Sequence, residues 1–103
     1  MPFRTAVTEL LGVRHPILLA PMGAVAGGRL AAAVTAAGGF GMIGPGYLDE
    51  AWVEREFDAA GNARVGIGFI TWDLARNPRR LTAALERRPA AVMLSFGDAT
   101  PFV

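Results

Sequence analysis

Four short apolar runs, separated by segments with helical spacing, constrain this chain more than any other feature of its sequence. The runs begin at positions 16, 40, 64 and 91, so successive starts lie 24, 24 and 27 residues apart. That interval accommodates one strand, one helix and two short connections, the unit from which parallel sheets are built. The runs read PILLA at 16–20, FGMI at 40–43, RVGIGFIT at 64–71 and AVMLSF at 91–96. They are apolar throughout rather than alternating, as expected of strands covered on both faces.

The segments between them predict three helices. Residues 29–37 carry Leu30, Ala33, Val34 and Ala37 at helical spacing and stop at Gly38-Gly39, a glycine ending typical of helix C-termini. Asp49 predicts an N-cap for a helix whose buried side is Leu48, Trp52, Val53, Phe57 and Ala60, with Glu54 and Glu56 outward and Gly61-Asn62 as the stop. Asn77-Pro78 predicts a cap followed by proline at the first helical position. The third helix then turns Leu81, Ala84 and Leu85 inward and presents Arg79, Arg80, Arg87 and Arg88 as a solvated face before Pro89 ends it.

The order is βαβαβαβ, an α/β fold whose right-handed crossovers make the sheet parallel. A closed barrel takes about 250 residues, so four strands are about half of one. We therefore expect residues 1–103 to be the amino-terminal half of a (β/α)8 TIM barrel, a fragment with two free strand edges and an uncovered inner face. Residues 100–103 read as a loop leaving the fourth strand toward a further helix. Composition agrees with a packed domain: 52% of residues are hydrophobic and 18% charged, which argues against disorder.

Several function classes drop out. Ten basic residues face nine acidic ones, leaving no basic stripe to neutralise phosphates, so no nucleic-acid partner is expected. Cysteine is absent, which removes disulfides, thiolate catalysis and cysteine–metal sites, and a single histidine makes a transition-metal site an unexpected one. The opening residues 1–11 lack a signal-peptide core, and no run approaches the 20 or so apolar residues of a membrane span. No membrane partner is expected, and a cytoplasmic location fits.

Ligand sites in parallel α/β folds lie beyond the carboxyl ends of the strands. The four tips are Ala20-Pro21-Met22-Gly23, Gly44-Pro45-Gly46, Gly68-Phe69-Ile70-Thr71 and Ser95-Phe96-Gly97-Asp98. Small residues there let a flat ring approach the backbone, although the same residues also suit a tightly packed barrel rim. Gly39-Phe40-Gly41-Met42-Ile43-Gly44 satisfies GxGxxG by letter, but it overlaps a strand and runs into Pro45, so it is read as packing and not as a dinucleotide fingerprint. His15 precedes the first strand, on the face that serves stability. Asp98 suits a cap more than a substrate contact, and Trp72 suits either rim packing or a cover over the ligand.

The run Leu11-Gly12-Val13-Arg14-His15-Pro16-Ile17 followed by Ala20-Pro21-Met22-Gly23 resembles the opening of nitronate monooxygenases, formerly called 2-nitropropane dioxygenases. Leu30-Ala31-Ala32-Ala33-Val34, Ala37-Gly38-Gly39-Phe40-Gly41 and Gly44-Pro45-Gly46-Tyr47 are similar to that family's second strand region. Val65-Gly66-Ile67-Gly68-Phe69 and Leu94-Ser95-Phe96-Gly97 are similar to its third and fourth strands. The resemblance implies an FMN-binding barrel that oxidises alkyl nitronates with dioxygen, with a small-molecule substrate and no assigned catalytic base. It implies that the backbone at Ala20, Pro21 and Met22, with Gly23 beside it, lies along the flavin ring, that Gly68 faces the flavin, and that Ser95 sits on the substrate side. Gly68 stands where many relatives carry asparagine, and Ser95-Phe96 runs directly into Gly97-Asp98 where many carry an intervening histidine. The alternatives are a related FMN barrel such as an enoyl-reductase-like enzyme, and a non-catalytic half-barrel module that self-associates through its exposed strand edges.

Overall fold

The computed structural model describes residues 4–103; Met1, Pro2 and Phe3, at the start of the segment read for a targeting signal, lie outside the described residues. The elements run α1 (Ala6–Leu11), α2 (Gly28–Ala36), β1 (Gly41–Ile43), α3 (Glu50–Ala60), β2 (Val65–Ile70), α4 (Thr71–Leu74), α5 (Arg79–Glu86) and β3 (Val92–Ser95), closing on a 3-10 turn at Thr100–Phe102. The three strands form one sheet in the order β1-β2-β3, both pairs parallel. Gly41 pairs with Val65 and Ile43 with Ile67; on the other side Gly68 pairs with Met93 and Ile70 with Ser95. This is the α/β arrangement that the strand–helix period predicts, in an open rather than a closed form.

Strand alternation divides the sheet into two faces. Ile43, Val65, Ile67 and Phe69 pack with Val53, Phe57, Leu74 and Ala84 into the core beneath α3 and α5. Each large apolar side chain so buried contributes roughly 1.5–3 kcal/mol. Residues that alternate with them, including Met42, Gly66, Gly68, Met93 and Ser95, belong to the opposite face. Asp49 caps α3 as predicted, its carboxylate accepting a hydrogen bond from the Trp52 N–H at 3.0 Å, and Gly61 ends the helix with φ of 64°.

The structure corrects several expectations. The first apolar run is not a buried strand: it makes one parallel bridge, Leu18 to Phe40, and leaves Ile17 62% exposed. Its ladder is two hydrogen bonds, Leu19 N–H to Phe40 O and Phe40 N–H to Ile17 O, both 2.9 Å. Pro16 and Pro21 bracket it and have no N–H to extend the pairing. Strand β3 is likewise half-buried, because β2 is the one strand it pairs with among the described residues.

Helix α2 buries Gly28 and Ala31, not the Leu30, Ala33, Val34 and Ala37 face, and Leu30 is exposed. The small residues are the buried ones because the helix lies against β1 backbone to backbone; a Cβ on Gly41 would overlap the Ala31 carbonyl. Glu56 turns back, half-buried, to accept from the Gly28 N–H at 2.9 Å. In α5, Leu85 is exposed and Arg80 is buried, the reverse of the predicted arrangement. Asn77 does not cap α5; its amide donates to Glu50 Oε2 at 3.2 Å.

Three elements were not predicted. Helix α1 begins with a reciprocal cap in which Thr5 Oγ1 accepts from the Thr8 N–H at 3.1 Å and Thr8 Oγ1 from the Thr5 N–H at 2.8 Å. Helix α4 follows β2 without a break, and residues 100–103 form a 3-10 turn that packs Phe102 against the core instead of an outgoing loop. Among the described residues no helix is long and apolar enough to cross a membrane.

Candidate functional site

At the carboxyl end of the sheet the chain forms a cleft of about 390 Å³, lined by Ala20, Pro21, Met22, Gly23, Gly46, Gly68, Phe69, Ile70, Met93, Ser95 and Phe96. Its size falls within the range of small-molecule sites. No charged side chain is among these lining residues, and their walls are mostly carbon. The six positions singled out in the sequence, Ala20, Pro21, Met22, Gly23, Gly68 and Ser95, come from three separate segments and meet here.

The local folding that brings them together is specific. The Met22 carbonyl accepts from both Val25 and Ala26 N–H groups, at 3.1 and 3.0 Å, curling residues 20–26 into a compact turn. Ala24 N–H donates to the Gly44 carbonyl at 2.9 Å, which ties this turn to the end of β1. Pro21 is thereby laid over Gly68 of β2: a Cβ on Gly68 would overlap Pro21 Cγ and lie 2.6 Å from Pro21 Cβ. Met93, the register partner of Gly68, flanks it from β3. Ser95 is half-buried at the end of β3, and its hydroxyl is a donor and acceptor beside an otherwise apolar wall.

Gly46, Phe69, Ile70 and Phe96, named in the sequence as strand-tip residues without a binding role, also line the cleft, and so does Met93, which was not named there. Strand alternation could have found Met93, which is two residues before Ser95 and therefore on its face. Among the described residues, two of the three non-glycine residues with positive φ are Phe96 in the lining, at 61°, and Ala24 next to the lining residue Gly23, at 60°. Such conformations cost on the order of 1–3 kcal/mol and concentrate at functional sites.

Other candidate residues lie elsewhere. Trp72 is about half exposed and pairs with Tyr47, their ring centroids 5.7 Å apart, outside the cleft lining. Asp98 lies just before the terminal turn, whose N-cap is Ala99, and its carboxylate accepts from the Thr100 N–H at 3.0 Å. The Thr100 hydroxyl and that N–H hold its carboxyl below the usual aspartate value. His15 stays at the amino end, where its N–H donates to the Gly38 carbonyl at 3.0 Å. Arg64, also at that end, covers the Phe40 ring at 5.6 Å and donates to the Leu11 carbonyl. The GxGxxG letters run through β1 and no helix starts within them. Among the described residues, no group of three or more His, Cys, Asp or Glu could hold a metal ion.

The predicted solvated arginines include one built into the rim. Arg80 is 3% exposed and donates to Asp73 Oδ2 at 2.7 Å, to the Asp73 carbonyl at 2.5 Å and to the Leu48 carbonyl at 3.3 Å. It joins the connections that follow β1 and β2, the same level of the fold at which the cleft opens.

Known proteins resemble this chain in sequence and in fold. A family profile described as nitronate monooxygenase matches residues 4–64. A probable nitronate monooxygenase of Staphylococcus saprophyticus is 43% identical over 56 residues, 54% of this chain and 16% of that protein. A hydroxy-methyl-oxo-octahydroindene-carboxyl-CoA dehydrogenase of Rhodococcus jostii is 55% identical over 40 residues, 39% of this chain and 11% of that protein. FabK from Thermotoga maritima, a TIM-barrel enzyme, superposes on 98% of this chain with a TM-score of 0.85 and 28% identity. The chain spans 33% of that structure, so the open sheet corresponds to a third of a longer barrel chain.

Proposed function

Because the chain belongs to the nitronate monooxygenase family, we propose that its cleft cradles the ring of FMN in an oxidoreductase that oxidises alkyl nitronates with dioxygen. The observation that carries this reading is the convergence of Ala20, Pro21, Met22, Gly23, Gly68 and Ser95 on one apolar cleft at the carboxyl ends of the strands. The fit to a flat heteroaromatic ring is chemical: Pro21, Met22, Met93 and Phe96 offer apolar surface, while Gly23, Gly46 and Gly68 keep side chains out of the floor. FMN, when bound, supplies the electron acceptor.

The chain's own residues then have modest tasks. The turn at residues 20–26 and the end of β3 hold the ring from two sides, and the apolar walls exclude water. The Ser95 hydroxyl orients the substrate by a hydrogen bond. None of the lining side chains named above is an acid or base, which suits a nitronate, since such a substrate arrives already as an anion and needs no proton removed. The protein's work is to bind and position. The phosphate of FMN, for which these walls offer no cation, would be held by other parts of the whole protein.

The likeness to FabK, an enoyl-ACP reductase, over nearly the whole chain favours a second reading, reduction of an enoyl thioester on the same cradle. Dioxygen uptake by the FMN-loaded protein with an alkyl nitronate, set against nicotinamide-nucleotide consumption with an enoyl thioester, separates the two. Nitronate-dependent uptake supports the first, and thioester-dependent nucleotide oxidation overturns it. We further propose that this chain on its own self-associates through the edge of β3 and the exposed run at Ile17 and Leu18.

A further inference from the structure

We propose that Phe96 is a ligand-binding wall of the cleft, held in a strained backbone conformation so that its ring packs against the flat ligand. The inference rests on the flavin reading above and adds a residue which neither the sequence motifs nor the family match assigns. Three observations carry it. Phe96 has φ of 61°, a region in which a bulky residue is a genuine outlier. The residue is 75% exposed yet lines the cleft with Ser95 and Met93, so burial in the core does not explain the conformation. Gly97, which follows it, has φ of 157° and sits so close to α4 that a Cβ there would lie 3.3 Å from both Thr71 Cβ and Trp72 N.

Gly97 packs onto the first turn of α4, and this fixes the direction in which the chain leaves β3. With that exit fixed, residue 96 must turn through the left-handed region, where glycine would be the unstrained choice. A phenylalanine there exposes a large apolar ring and strains the backbone, neither of which helps the fold. An aromatic wall does help a planar ligand, through offset stacking worth about tenfold or more in affinity. The cleft is thus bounded by Pro21 and Met22 from one loop and by Phe96 from the end of β3, with Gly68 between them in the floor.

The test uses the full chain in three forms: wild type, Phe96→Ala and Phe96→Gly. Fluorescence titration with FMN and thermal unfolding without ligand are both measured. Both variants are expected to bind FMN about tenfold more weakly than wild type. Phe96→Gly alone is expected to unfold about 4 °C higher than Phe96→Ala, because alanine keeps the left-handed strain and glycine releases it. Wild type and both variants binding FMN equally well would overturn the proposal while leaving the flavin reading intact. Equal melting temperatures for the two variants would overturn the strain argument. Absence of saturable binding in wild type itself would overturn the flavin reading, and this proposal with it.

Discussion

Pro21 lies directly on Gly68, so closely that a methyl group on Gly68 would overlap the proline ring. These residues are 47 positions apart in the chain, one in the turn before α2 and the other in the middle of β2. Their contact lies in the floor of the cleft, and it gives a physical reason for glycine at position 68.

Gly68→Ala is therefore expected to destabilise the fold by about 1–3 kcal/mol, the usual cost of overpacking a filled site, and Gly68→Asn by more. Pro21→Gly removes the ring that the new methyl group strikes. The double variant should recover much of the loss, and chemical denaturation of the four proteins in a double-mutant cycle measures the coupling. Strict additivity would contradict the contact.

The buried Arg80–Asp73 pair makes a second prediction. Removing one partner of such a pair leaves an uncompensated charge and costs about 3–5 kcal/mol. Arg80→Ala should unfold at much lower denaturant than wild type, whereas Arg79→Ala, at an exposed neighbour, should change stability by about 0.5 kcal/mol or less. Equal effects would return both arginines to a solvated face.

Asp98 carries a pH dependence. Hydrogen bonds from the Thr100 hydroxyl and backbone N–H lower its pKa below the ordinary 3.8. Its support of the terminal turn is thus fully present above the ordinary value and is lost as pH falls through the depressed one. A carboxyl NMR titration should place Asp98 below the ordinary 3.8, and Thr100→Ala should move it back up.

Free edges predict association. Light scattering of this chain should show species larger than a monomer, and Ile17→Lys with Leu18→Lys should shift them toward monomer by placing charge on an exposed edge. A sharp monomer peak for the unsubstituted chain would contradict the prediction.

Much of this was legible in the sequence because glycine and proline punctuate buried runs. The breaks at Pro21, Gly44-Pro45 and Gly97 mark strand ends, and strand ends in parallel folds mark the ligand face. The rest depended on partners distant in the chain. Arg80 reads as a solvated helix residue until Leu48 and Asp73 supply its acceptors. Ala31 outranks Leu30 on the buried face of α2 because β1 approaches too closely for a larger side chain. Ile17 and Leu18 read as a core strand because an apolar run does not reveal how many neighbours will cover it. Phe96 was legible as a strand-tip residue but its left-handed conformation was not, since that follows from the packing of Gly97 and not from local propensity.

The central claim is that the residues meeting at the carboxyl end of the sheet form a cradle for a flavin ring. Titration of this chain with FMN, followed by flavin absorbance and fluorescence, tests it most directly, with riboflavin as the comparison. Saturable binding of both is expected, with similar affinity, because the lining residues recognise the ring and include no cation for the phosphate. Flavin spectra unchanged at every protein concentration would contradict it.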